Sequence, residues 1–114
     1  MDSRSKALFV AKIAQDKLAQ DIVVLDMGRV SNLTDFFIVL SGNSTRQVKA
    51  ISDYVVERLK KLGHKVWHTE GYQHALWVLL DYGDIVIHVF HTPTRKFYDL
   101  ERLWADVAQI KIED

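Results

Sequence analysis

The stretch from Ala75 to Phe90, A-L-W-V-L-L-D-Y-G-D-I-V-I-H-V-F, constrains this chain more than any other. Two apolar runs rich in aliphatic and β-branched residues flank Asp81-Tyr82-Gly83-Asp84, and Gly83 can take the positive φ of a two-residue hairpin turn. With Tyr82 and Gly83 at the tip, Asp81 faces Asp84, Leu80 faces Ile85, Leu79 faces Val86, Val78 faces Ile87, Trp77 faces His88 and Leu76 faces Val89. Side chains alternate across a strand, so this pairing sorts the hairpin into two unlike faces. One is aliphatic: Leu76, Val78, Leu80, Ile85, Ile87 and Val89. The other carries Trp77, Leu79, Asp81, Asp84, Val86, His88 and Phe90. Burying each aliphatic side chain stabilises by about 1.5 to 3 kcal/mol, whereas like charges set opposite each other cost a few tenths to about 1 kcal/mol. The aliphatic face is therefore expected in the core and the other is expected to be a docking surface whose carboxylates need solvent or a cationic partner. The plainer reading of Asp81 and Asp84 is that they shape the turn.

At 114 residues and 48% hydrophobic, the chain suits one domain over residues 1–114 that buries roughly two thirds of its unfolded surface. The 15 basic and 15 acidic residues cancel, so no overall excess is available to neutralise phosphates, and direct nucleic-acid binding is disfavoured except through a local patch. Cysteine is absent, which excludes disulfides and thiolate chemistry. No window approaches a membrane span and the start lacks a long apolar core, so the expectation is a soluble intracellular protein.

In chain order, residues 3–19 read as a helix capped by Ser3, with Ala7, Leu8, Ala11, Ala14 and Leu18 on its inner stripe. Ile22 to Leu25 and Phe36 to Leu40 read as buried strands joined by a polar connection. Ser44-Thr45-Arg46-Gln47 has capping-box spacing. It starts a helix whose inner stripe is Val48, Ile51, Val55 and Leu59, and which ends near Gly63. His64 to Thr69 reads as a third strand. Pro93 breaks the chain after the hairpin, Thr94 or Thr92 can start a last helix with Phe97, Leu100, Glu101 and Trp104 on a common side, and the weakly patterned tail from Val107 to Asp114 reads as either a short strand or disorder. The sum is an α/β (α+β mixed) fold, a single mixed sheet of about five strands with two to three helices and one parallel crossover between Phe36 and Thr69.

Chemistry is sparse. The junction Leu40-Ser41-Gly42-Asn43-Ser44 offers helix N-terminal N–H groups beside a glycine, an arrangement that can hold an anion, though a capped helix start explains it as well. A nucleotidyl-transfer site there would need paired carboxylates on a neighbouring strand to hold metal, and His64 to Thr69 has none. His64 and His68 would lie about 13 Å apart along a strand, and His88 and His91 would point to opposite faces, so no metal site and no cofactor is expected. His88 is read as a packing or hydrogen-bonding neighbour of Trp77. No nucleophile stands in an elbow-type glycine context.

Taken together, D-I-V-V-L-D, S-x-x-T-D-F-F-I-V-x-S-G-x-S-x-R-Q-V-x-A-I, E-G, W-V-L-L-D-Y-G-D-I-V-I-H-V-F and R-K-F-Y-D-L-E-R-L-W closely resemble the ribosomal silencing factor family, also called RsfS or Iojap-like, from Asp21 to Trp104. The resemblance implies a nucleotidyltransferase-like fold lacking catalytic carboxylates, and a binding protein rather than an enzyme. It implies a partner in the large ribosomal subunit, its fourteenth protein, and steric prevention of subunit joining when nutrients are short. Organellar relatives act in mitochondrial or plastid ribosome assembly, but a compact chain with no transit peptide is expected to be bacterial and cytoplasmic; the resemblance also implies self-association off the ribosome as a further use of an exposed sheet face. On this reading Trp77, Leu79, Val86 and Phe90 form the apolar centre of the contact with His88 beside them, Asp81 and Asp84 meet basic residues, and Tyr82 and Glu70 lie at the rim. Tyr98, Glu101 and Trp104 match the family pattern and serve either packing or self-association.

Overall fold

A computed structural model describes residues 1–112. Its centre is a six-stranded mixed sheet with strand order β3-β4-β5-β2-β1-β6, formed by β1 (Gln20–Asp26), β2 (Phe36–Gly42), β3 (His68–Glu70), β4 (Trp77–Asp81), β5 (Ile85–His91) and β6 (Gln109–Ile110). The helices are α1 (Ser3–Gln15), α2 (Thr45–Lys61), α3 (Thr92–Tyr98) and α4 (Leu100–Leu103). α1 and α2 cover one face. Ala7, Val10, Ala11 and Ala14 from α1 and Val48, Ile51, Val55 and Leu59 from α2 pack with Val24, Ile38, Leu40, Val78, Leu80, Ile87 and Val89. Alternation turns Leu25, Val39 and Phe90 to the opposite face, where Leu100 from the C-terminal segment covers them.

Local chemistry explains the element ends. Ser44 Oγ accepts from the Gln47 N–H at 3.0 Å and Gln47 Oε1 accepts from the Asn43 N–H at 2.6 Å, a capping box shifted by one residue on its return bond. At the start of α1 the cap is Asp2, not Ser3: the Asp2 carboxylate accepts from the Ser5 N–H at 2.7 Å.

Three expectations change, and the tail takes the strand reading. The crossover from β2 through α2 arrives at β3, which runs in the direction of β2 but not beside it; the parallel neighbour of β2 is β5, because the β4–β5 hairpin inserts between them. The third strand is limited to His68–Glu70, an exposed edge. The last helix breaks at Asp99, which adopts φ +49, a conformation that Asp tolerates better than most residues. Phe97 is consequently 82% exposed while Leu100 is 5% exposed, so the two do not share an inner face, and Pro93 sits in the first turn of α3, where its missing N–H costs nothing. A sixth strand, β6, forms in the tail against β1; of that tail, residues 113–114 lie outside the described residues.

Candidate docking face

The hairpin folds with a register two residues away from the expected one. Trp77 pairs with Phe90, Leu79 with His88 and Asp81 with Val86. The Tyr82 N–H donates to the Ile85 carbonyl at 3.0 Å, which moves the tip to Gly83 and Asp84, with Gly83 at φ +85. A shift of two leaves every strand residue on its expected face, since the side-chain period is two. The ends of the hairpin do change. Leu76 leaves the strand and is 47% exposed.

Tyr82 is not a rim contact: it is 5% exposed in the core beneath α1 and α2, and burial pushes its phenol up to about 12. Asp84 does not oppose Asp81. Its carboxylate turns to Lys6 of α1, whose Nζ donates at 2.8 and 3.1 Å, and its carbonyl accepts from Thr34 Oγ1 at 3.0 Å and the Asp35 N–H at 2.9 Å. Asp81 Oδ1 accepts the Gly83 N–H at 2.8 Å, so it shapes the turn as well as edging the sheet face.

Strand pairing lays out the face opposite α1 and α2 in rows. One row runs Glu70, Leu79, His88, Val39 and Val23; the next runs His68, Asp81, Val86, Phe37 and Leu25. Leu100 and Trp104 cover the β1 end. His88 and Phe90, expected on the docking surface, lie beneath it at 4% and 0% exposure, and Val86 is 9% exposed. Trp77, Leu79, Asp81, Phe37 and Trp104 are half-buried, and Glu70 is exposed beside His68, with Nε2 and Oε1 2.9 Å apart. What reaches the surface is an apolar, aromatic strip with carboxylates at its β3 edge.

His88 organises that strip from below. The Trp77 indole N–H donates to His88 Nδ1 at 3.1 Å, as anticipated, although the two are diagonal rather than opposite. The Phe37 and Trp104 rings lie 4.6 and 5.9 Å from the imidazole, and Nε2 has no hydrogen-bond partner among the described residues. With Nδ1 accepting, Nε2 carries the proton and points among aromatic rings, where only a weak N–H···π contact is available. Burial lowers the imidazole to about 4, so it is neutral at physiological pH and the strip carries no positive charge.

Phe37 was not singled out in the sequence. Only the β2–β5 pairing, which puts Phe37 opposite Val86, brings it to the hairpin. Trp104 is held beside it, 5.5 Å between rings. Buried Arg95 fixes the covering segment: its guanidinium donates to the Asp21 carbonyl and to Ser41 Oγ at 2.8 Å each and also to Glu101. Burial raises the Glu101 carboxyl, but hydrogen bonds from its own backbone and from Arg95 together pull it below its usual value.

At the Gly42 loop side chains engage the Asn43 and Gln47 N–H groups and the Gly42 carbonyl. Gln47 takes the Asn43 N–H, Ser44 takes the Gln47 N–H, and Thr92 Oγ1 donates to the Gly42 carbonyl at 3.1 Å. The loop is a capped helix start. Among the described residues no three His, Asp or Glu side chains gather as a metal set, and no helix is long and apolar enough to cross a membrane.

A family profile described as "Ribosomal silencing factor during starvation" matches residues 1–114. The chain is 42% identical over 106 residues to "Ribosomal silencing factor RsfS" of Bacillus subtilis, covering 93% of this chain and 90% of that protein. To the protein of the same name from Halalkalibacterium halodurans it is 37% identical over 113 residues, covering 99% and 97%. A crystal structure of a Chromobacterium violaceum protein superposes with a TM-score of 0.88 at 35% identity, covering 92% of this chain and 88% of that one. Both relatives are named as ribosomal silencing factors. A match along the entire chain, together with a shared fold, places this protein in the ribosomal silencing factor family.

Proposed function

We propose that this protein docks on the large ribosomal subunit through the strip Trp77, Leu79, Val86, Phe37 and Trp104, with Asp81 and Glu70 at its edge, and thereby blocks joining of the small subunit. The observation that carries this reading is the half-buried aromatic strip with an acidic edge, on a sheet face whose remainder is covered by the C-terminal segment. Interfaces concentrate their energy in such aromatic anchors, and an acidic edge complements a basic ribosomal protein; the family resemblance points to the fourteenth protein of the large subunit as that partner. The block is steric. It needs position and affinity, not chemistry, and it acts in the bacterial cytoplasm when nutrients are limiting.

Co-sedimentation with isolated large subunits, followed by addition of small subunits, tests this. Wild type is expected to bind and to lower the joined fraction, while folded Trp77→Ala and Asp81→Lys variants bind less. Failure of wild type to bind overturns the reading. A second use of the surface has its own support: Phe97, Tyr98 and Leu103 are 82%, 52% and 71% exposed, apolar side chains that favour self-association off the ribosome. Sedimentation velocity across a dilution series is then expected to show a dimer that large subunits dissociate.

A further inference from the structure

The net charge of zero conceals a segregation that follows the layers of the fold. Ten of the fifteen basic residues but only four of the fifteen acidic ones lie in segments 2–17 and 45–65, which are α1 with its cap, α2 and the turns that leave them; the rest of the chain holds the other five and eleven. The helix layer is thus net positive, and the rest of the described chain, with five basic and nine acidic residues, is net negative. Within the positive layer, Lys6 pairs with Asp84, Arg58 with Asp16 and Lys61 with Glu57. Arg4, Lys12, Lys17, Arg46, Lys60 and Lys65 are exposed and have no carboxylate partner among the described residues.

Two further features set this layer apart from an ordinary solvated helix face. Neither α1 nor α2 has an acidic residue in its first turn, where Arg4 and Arg46 stand, and only α1 has a carboxylate at its cap, that of Asp2. Cations at helix N-termini oppose the macrodipole, so these positions act against helix stability and add to an outward positive potential. The α1–α2 seam also interleaves cations with rings. Lys17 Nζ lies 4.8 Å and the Arg58 guanidinium 5.4 Å from the Tyr54 ring, and Arg58 lies 5.5 Å from Phe9. These contacts set cations and rings side by side along the seam, with Arg58 also paired to Asp16 and exposed Lys17 left without a carboxylate partner among the described residues.

We infer that the α1–α2 layer is a second contact surface, for the phosphate backbone of structured RNA, read by charge and shape and not by base sequence. It rests on the proposed ribosomal location only for which RNA it meets, since the layer lies on the opposite side of the sheet from the docking strip and is free when the strip is occupied. A docked molecule would then hold RNA and protein on opposite faces, matched in sign to each.

The test is titration of the intact protein with a short blunt RNA duplex by fluorescence anisotropy across a salt series. Wild type is expected to bind at low salt, with affinity falling linearly on a log–log plot. A Lys12→Gln, Lys17→Gln, Lys60→Gln, Lys65→Gln variant, checked for native circular dichroism, should lose about tenfold or more and show a slope shallower by about 1 for each lysine in contact. Trp77→Ala should leave RNA binding unchanged, which separates this surface from the docking strip. Absence of wild-type binding at low salt overturns the inference, as does binding that the quadruple variant retains. Equal, lysine-dependent binding to vesicles containing anionic lipid would also overturn it, by pointing to a membrane surface instead.

Discussion

Trp77 and His88 carry two roles in one hydrogen bond. The indole N–H on His88 Nδ1 sets the orientation in which Trp77 half emerges from the sheet, so truncation removes both contact area and the group that satisfies the imidazole. Trp77→Ala is expected to weaken binding to large subunits by about 2 kcal/mol, roughly thirtyfold, measurable by quantitative co-sedimentation. Asp81→Lys should act mainly on the association rate, because an edge charge steers encounter more than it holds the complex; stopped-flow traces at low and high salt would show that. His88 makes stability pH-dependent. Its folded value near 4 lies below the ordinary 6.5, so on acidification the unfolded chain takes up the proton first. The contribution is complete above about 6.5 and declines as pH falls toward about 4, on the order of 3 kcal/mol in all. His88→Phe should flatten the Tm–pH curve in this window; an unchanged curve would refute the assignment.

Between elements, one ion pair and one close backbone approach hold the hairpin. Lys6, with a side chain 9% exposed, ties α1 to the hairpin tip through Asp84 at 2.8 Å. Lys6→Met leaves that carboxylate without its partner and should cost about 2 kcal/mol, less than for a fully buried pair because Asp84 keeps access to water. Urea unfolding with an unchanged m-value would record it. Gly71, in the β3–β4 connection, has φ +76, and a Cβ there would overlap the Trp77 carbonyl oxygen. Gly71→Ala is therefore expected to cost more than about 2 kcal/mol, from strain and collision together, and to disturb Trp77. Ser44→Ala at the start of α2 loses one cap bond and should cost only about 1 kcal/mol; thermal melts of the two variants would rank them.

At the level of the whole molecule, function follows from having two differently dressed sides to one sheet. A steric block needs no turnover, so added protein should lower the joined ribosome fraction saturably, with one protein per large subunit, and added nucleotide should change nothing in sucrose-gradient profiles. A nucleotide requirement would contradict the reading of the Gly42 loop as a capped helix start, in which side chains engage the Asn43 and Gln47 N–H groups.

The alternation of aliphatic residues from Val78 to Val89, the capping box at Ser44 and the motif series from Asp21 to Trp104 are local patterns, and local sterics and hydrogen bonding suffice to read them. They yielded the mixed α/β class, the core face of the hairpin, the Trp77–His88 contact and the family. Which hairpin side chains are reachable depends on what packs above them, and no period in a strand encodes that. His88 and Phe90 are covered because α3 and α4 fold back over the sheet, Tyr82 turns inward because the turn closes at Gly83 and Asp84, and Asp84 is engaged because α1 passes near the tip. Phe37 joins the strip only through a parallel pairing between strands more than forty residues apart in the chain. Long-range packing competes over these side chains at energies of a few kcal/mol, comparable to any local preference, and that competition is settled only once the whole chain is folded.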